Sequence, residues 1–216
     1  MLKSHHTDDT ILEAGIDEAG RGCLWGPLAS AAVIWPRHLS DTDQTLAAQI
    51  KDSKLLSPKK RQMLEAFIKR VATFSIGMVS AAEIDNLGMT KSNRLAFQRA
   101  VDGLPIQPGR LIIDGILPLH TDIEQVVEPK ADGIYIAVAA ASILAKEARD
   151  TIVRDMCEVD PTLETNYSIL SSKGYGTAAH RNGIKQHGMH DLHRRLFLRK
   201  LLGIDHRTSD TIEFLD

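Results

Sequence analysis

Little in this chain speaks for an oxidising compartment or a membrane. Cys23 and Cys157 are the only cysteines and stand in no ligand-spaced motif, so neither a disulfide framework nor a thiolate zinc site is expected. Long hydrophobic runs are missing too. Residues Met1 to Thr10 are polar and lack the apolar core of a secretion signal, and no later run is long enough to span a bilayer. A soluble, unprocessed, cytoplasmic protein is expected. Aromatics make up 5% of the residues, and the formal net charge is only −2. That balance excludes a globally basic nucleic-acid binder and confines any such site to a local patch. What is present, 216 residues with 43% hydrophobic content and no repeat or low-complexity linker, suffices for one domain with one good core.

Periodicity predicts an α/β order. Ile11 to Ile16 reads as a strand, Pro27 to Ile34 as its neighbour, Phe74 to Val79 as a third, and Arg110 to Gly115 as a short buried strand ending in acid and glycine. Glu124 to Val127 reads as another. Helical patterns begin at Ser57-Pro58, with proline in the first turn, and run to Val71; others span about Thr90 to Val101 and from about Ile134 past Met156. Beyond Pro161 the pattern gives a loop, the turn Gly174-Tyr175-Gly176-Thr177, a short helix to about His187, and a basic amphipathic stretch from Asp191 to Leu202. The expected organisation is an α/β core over 11–160, a helical C-terminal extension over 161–204 and a polar tail over 205–216.

The chemistry concentrates in Gly15-Ile16-Asp17-Glu18-Ala19-Gly20-Arg21-Gly22, where two adjacent carboxylates end an apolar run and lead into a glycine-flanked arginine. Two anions ~4 Å apart repel by about 4 kcal/mol at an effective dielectric of ~20, so a fold that crowds them calls for a proton or a cation. Taken alone the run is also compatible with a surface turn. Two glycines around Arg21 predict φ > 0 there and close approach of backbone to a ligand. Asp114 sits at a second strand tip and Asp132 just before a long helix; singly, these suit a turn and a helix cap. A sheet that pairs the first strand with the Asp114 strand would gather all four carboxylates. An all-oxygen set suits Mg²⁺ or Mn²⁺ rather than zinc, and such ions assist in-line displacement at phosphorus by water.

With these islands the chain resembles ribonuclease HII, the bacterial type 2 ribonuclease H. The resemblance rests on Gly15 to Gly22, Asp52-Ser53-Lys54 with Leu56-Ser57, Ile113-Asp114-Gly115, Asp132 ahead of Ala139 to Lys146, Lys173 to Thr177, and His193-Arg194-Arg195. It implies an RNase H-like fold, a mixed central sheet flanked by helices with a helical C-terminal extension. It implies hydrolysis of the RNA strand of RNA/DNA hybrids, and a cut 5′ of single ribonucleotides in duplex DNA that leaves 3′-hydroxyl and 5′-phosphate. It further implies Asp17, Glu18, Asp114 and Asp132 as metal-binding catalytic carboxylates, with Mg²⁺ or Mn²⁺, and Gly20, Arg21 and Gly22 as the sensor of the ribose 2′-hydroxyl. Tyr175 would stack on the next sugar, and Lys54, Ser142 and Lys146 would contact phosphates. Hybrids and ribonucleotide-containing duplexes are the implied partners, with a monomeric enzyme and no membrane.

The chain departs from the family at Ile134, Ile136, Leu196 and Gly88, where a basic residue, proline, serine and asparagine are usual; changed rate or affinity with unchanged chemistry is expected. Ribonuclease HIII, which carries an extra N-terminal substrate domain, is disfavoured. Other readings are weaker. The spacing Gly20-x-Gly22-x-x-x-Gly26 is one residue too long for dinucleotide binding, with proline following instead of a helix. His187, His190 and His193 read as a solvated basic face rather than a zinc cluster. Ser142 with Lys146 lacks an identifiable oxyanion hole. A catalytically silent hybrid-binding module would require carboxylates that do not converge. The tail shows no motif that ties it to a sliding clamp, and no protein partner is identifiable.

Overall fold

A computed structural model describes residues 2–203; the tail, 205–216, lies outside the described residues. Five strands form one mixed sheet: β1 (Glu13–Ala19), β2 (Leu28–Ile34), β3 (Thr73–Val79), β4 (Arg110–Asp114) and β5 (Glu124–Glu128), in spatial order β3-β2-β1-β4-β5. β1, β2 and β3 are antiparallel neighbours, whereas β4 and β5 join β1 in parallel. The sequence places the strands within a few residues of their true bounds.

The helices are α1 (Asp41–Ala47), α2 (Pro58–Val71), α3 (Ala81–Leu87), α4 (Met89–Asp102), α5 (Ile136–Val159), α6 (Thr162–Tyr167), α7 (Ile169–Ser172), α8 (Ala178–His187) and α9 (Arg195–Leu202). α2 has the expected start: the Ser57 hydroxyl caps Lys60 N–H and Pro58 follows, where a missing N–H costs nothing. One face of the sheet packs Ala19, Ala31 and Val33 against α2 and the alanine-rich first half of α5. The other packs Ala14, Ile16, Ala32, Leu111 and Ile113 against Phe97 and Val101 of α4. α5 lies directly on β1, since a Cβ on Gly15 would come within 2.4 Å of the Ala137 and Val138 backbone. That contact fixes the start of α5, and the turn before it, beside the end of β1.

Several sequence expectations are corrected here. α1 and α3 were not expected; α3 is announced by the capping box Ser80-x-x-Glu83, in which each residue's side chain bonds the other's backbone. The segment after Pro161, expected as a loop, folds into α6 and α7 because Leu163, Tyr167 and Ile169 bury a face against Val153 and Cys157 of α5, Ile184 of α8 and Trp25. Among the described residues no helix is long and apolar enough to cross a membrane.

Candidate active site

The four candidate carboxylates come from three places, the end of β1, the end of β4 and the turn before α5. β1 and β4 run in parallel with Ile16 opposite Ile113, so Asp17 and Asp114 stand one step further along two adjacent strands and share a face. Asp132 lies in a 3-10 turn (Ala131–Gly133) that precedes α5, and the turn is tied to β4 because Ala131 N–H donates to Asp114 Oδ1 at 2.8 Å. Glu18 differs from the sequence expectation. The strand continues to Ala19, so Asp17 and Glu18 project from opposite faces, and Glu18 turns toward α4, where Asn93 lies near enough to favour its charged form. Asn93 is 1% exposed and its Oδ1 has no partner; the sequence reading missed it.

Electrostatics shows how closely these groups feel one another. Burial, followed by the charges of Glu18 and Asp114, raises the Asp17 carboxyl well above the ordinary range, while the Glu18 N–H and Ser142 oppose that rise. Glu18 is raised by burial and by Asp114 against the pull of Arg21, whose guanidinium stands 3.9 Å away. Asp132 is raised by burial and by Asp52 and Asp114, with Lys54 opposing. Mutual destabilisation of negative charge is what a cation would relieve, and an all-carboxylate donor set fits a hard divalent ion. Among the described residues no three His, Cys, Asp or Glu side chains are closed tightly enough around one point to hold an ion in this arrangement. The fit therefore rests on donor chemistry and on charge crowding.

Of the expected phosphate contacts, Lys54 stands exposed on the turn after Asp52, close enough to Glu18 and Asp132 to lower both. Ser142 is 3% exposed; its hydroxyl meets Ser53 Oγ at 2.8 Å and lies near enough to Asp17 to favour its charged form. Lys146 donates to Asp150 Oδ1 at 2.6 Å.

Next to the acids, two loops meet. Cys23 and Tyr175 form an antiparallel bridge, and Leu24 N–H donates to Gly174 O at 2.8 Å. The Tyr175 ring lies over Gly22, where an added Cβ would be 4.0 Å from its Cε1. Tyr175 is 42% exposed, leaving ring surface for a sugar. Positive φ, expected at both glycines, occurs at Gly20 alone (φ 92°). Gly20 owes its identity as much to a neighbour as to its backbone, because a Cβ there would strike the Arg149 side chain.

The histidines are also corrected. His193 is 2% exposed and its Nε2 lies 2.9 Å from His180 Nε2, so it is no part of a solvated face. His180 Nδ1 in turn meets Tyr175 O at 2.9 Å. Burial, then His180, pulls His193 down to about 4, and both rings are neutral at physiological pH. Of the family departures, Leu196 lies in the first turn of α9, whose free amides are capped from outside: Asp85 accepts from Arg195 N and Leu196 N, each at 2.9 Å.

Comparison with known proteins gives the family and the fold. Residues 14–200 match the family model described as Ribonuclease HII. A Ribonuclease HII of Parabacteroides distasonis is 42% identical over 189 residues, 86% of this chain and 89% of its own length. Among solved structures, the ribonuclease H2 from Pyrococcus horikoshii OT3 superposes with a TM-score of 0.70 at 26% identity, covering 88% of this chain and 96% of that one. Bst-RNase HIII in complex with Mn²⁺ shares the fold, with a TM-score of 0.67 at 22% identity, over 94% of this chain and 73% of that one. Parallel strand tips that crowd carboxylates beside a glycine loop, together with matches over nearly the whole chain, make this protein a nuclease of the ribonuclease HII family.

Proposed function

We propose that the enzyme hydrolyses the RNA strand of RNA/DNA hybrids and cuts duplex DNA on the 5′ side of a single embedded ribonucleotide, leaving 3′-hydroxyl and 5′-phosphate ends. The observation that carries this reading is the adjacency of the Asp17–Asp114 pair to the Gly20–Gly22 and Tyr175 loops. Asp17, Glu18, Asp114 and Asp132 would hold divalent ions, Mg²⁺ or Mn²⁺. Such ions, when bound, activate water and stabilise the leaving oxygen of a phosphodiester. The chain's own residues do the rest. The Glu18 N–H, donating to Asp17 Oδ1 at 2.7 Å, keeps Asp17 oriented, with Ser142 beside it. Backbone groups around Arg21 can both donate to and accept from a 2′-hydroxyl, the one group that separates RNA from DNA at a given sugar. The exposed Tyr175 ring would pack on the following deoxyribose, where an extra hydroxyl would crowd it.

Lys54 is the phosphate contact that the surface offers directly. Lys146 would first have to leave Asp150, and Ser142 is buried with its hydroxyl engaged by Ser53 Oγ. The enzyme would act as a cytoplasmic monomer, in ribonucleotide repair and replication. Cleavage of three duplexes, one all-DNA, one with a single ribonucleotide and one a continuous hybrid, tests the reading in Mg²⁺ or Mn²⁺ and again in EDTA. Cutting of the second and third with metal only is expected; equal cutting of the all-DNA duplex would overturn 2′-hydroxyl reading, and persistent activity in EDTA would overturn the metal role.

A further inference from the structure

Two arginines that this function leaves unused lie buried behind the reading loops. Arg149 on α5 is 1% exposed, and Arg194, which precedes α9, is 0% exposed. Burying an unpaired charge costs several kcal/mol, so a buried guanidinium normally faces a carboxylate. Here the hydrogen bonds of both go to main-chain carbonyl oxygens. Arg194 donates from Nη1 to Gly20 O at 2.7 Å and Arg21 O at 3.1 Å, from Nε to Gly26 O at 2.9 Å, and from Nη2 to Pro27 O at 2.9 Å. Arg149 donates from Nε to Pro27 O at 3.1 Å, from Nη2 to Trp25 O at 3.0 Å, and from Nη1 to Lys173 O at 2.7 Å.

Carbonyl dipoles thus take the place of a counter-ion, and they point inward only while the loops keep this conformation. Shifting a loop strips solvation from a buried charge, so the arginines resist loop movement more strongly than neutral packing would. The glycines corroborate the arrangement. A Cβ on Gly20 would lie 2.2 Å from Arg149 Nε, and one on Gly174 would lie 2.8 Å from Trp25 O, itself an acceptor of Arg149, and 3.1 Å from Arg149 Nη2, so both loops are cut away where that side chain and its carbonyl partner pass. One of these glycines leads into Arg21-Gly22 and the other into Tyr175.

We propose that Arg149 and Arg194 are positioning residues that lock the Gly20–Gly22 loop against the Tyr175 loop, and that this lock sets the preference for a lone ribonucleotide over a continuous hybrid. The inference rests on the assignment of those two loops to the sugar-reading task proposed above. Arg194 holds the Gly20 and Arg21 carbonyls, the first shared with the Cys23 N–H, while Arg149 bridges from Lys173 to the 25–27 segment. A continuous hybrid offers a 2′-hydroxyl at every step, so slackened loops still find a register. A single ribonucleotide offers one, and both loops must meet it together.

Arg149→Lys and Arg194→Lys keep the charge and lose the fork of donors. We compare kcat and KM of each on a duplex with one ribonucleotide and on a continuous hybrid, and map the cut positions on a gel. The expected result is a fall in kcat on the single ribonucleotide about tenfold greater than on the hybrid, as small misplacements of reacting groups produce. A purely structural role would lower both rates together, and an unchanged ratio in the folded variants overturns the proposal. Should the lysine variants fail to fold, Asp85→Asn weakens the cap next to Arg194 from a half-buried position, and it must move the ratio in the same direction; no movement overturns the proposal. Tyr175→Ala separates the two claims. If it leaves the ratio untouched, the sugar-reading assignment fails and the lock with it; if it shifts the ratio while the arginine variants do not, the lock alone fails.

Discussion

Gly20 and Arg149 occupy one another's space: a Cβ on Gly20 would lie 2.2 Å from Arg149 Nε and 2.4 Å from its Cδ, at a backbone φ of 92°. Gly22, two residues on, has no such neighbour; its added Cβ would only approach Tyr175 Cε1 at 4.0 Å. Two glycines that look alike in the sequence therefore answer to different constraints.

Gly20→Ala should cost stability as well as activity, on the order of 2 kcal/mol or more, because it combines left-handed backbone strain with displacement of a buried guanidinium. Gly22→Ala should leave the melting temperature within about 2 °C of the parent while lowering cleavage of a single-ribonucleotide duplex. Thermal melts beside cleavage assays check both; a Gly20→Ala protein that melts with the parent would contradict the packing argument.

Asp17→Asn should abolish cleavage and, in EDTA near neutral pH, raise the melting temperature. The sign follows from the raised carboxyl: a folded-state pKa above the unfolded one gives stability that is present at low pH and lost as pH rises through the folded value, so the charged form is a burden at pH 7. Asparagine keeps an oxygen for the Glu18 N–H, which reaches Asp17 Oδ1 at 2.7 Å. Added Mg²⁺ or Mn²⁺ should stabilise the parent by linkage and the variant much less. Melting curves with and without metal provide the measurement, and an Asp17→Asn protein less stable than the parent in EDTA would be the contrary result.

The His180–His193 pair should make stability fall with acid. His193 is depressed to about 4 in the folded state and takes up its proton near 6.5 when unfolded, so the unfolded chain binds more protons between those values. Stability is full above about pH 6.5 and is lost as pH drops toward 4. A decrease in melting temperature on the order of 5 °C across that window is expected from this pair, flattened in His193→Gln. An identical pH profile in that variant would remove the pair from the explanation.

Arg61→Met should destabilise the protein by about 3–5 kcal/mol, as removal of one partner from a buried ion pair does. Arg61 Nε donates to Glu147 at 2.7 Å, and Glu147 is 1% exposed. The same guanidinium holds Leu56 O at 3.0 Å, which anchors the turn that carries Lys54, so KM for substrate should rise in the material that folds. Pairing the change with Glu147→Met should restore much of the stability, and failure of the double variant to recover would argue against the ion pair as the cause.

The strands and the long helices were legible in the sequence, because alternation and helical spacing are local patterns that survive without a partner; the positions of the acids at strand ends and before α5 were legible too, whereas their shared role is the proposal made above. Ser80-x-x-Glu83 is equally local, a capping box that marks the start of α3. α6 and α7 were not legible, since the residues after Pro161 are helical only by virtue of what Trp25 and α5 bury against them. His193 read as surface for the same reason: its spacing to His187 and His190 is visible, whereas its partner His180 comes from α8.

By itself, then, the sequence determined which residue types were available: oxygen ligands without thiolates, a glycine-flanked arginine, and a tyrosine between glycines. Only the tertiary structure decided who faces whom. Parallel pairing of β1 with β4 put Asp17 beside Asp114, strand geometry sent Glu18 to the opposite face beside Asn93, and two distant arginines became the buried support of the loops. The physical reason is that side-chain identity is written along the chain, but burial and charge compensation exist only between segments that folding brings into contact.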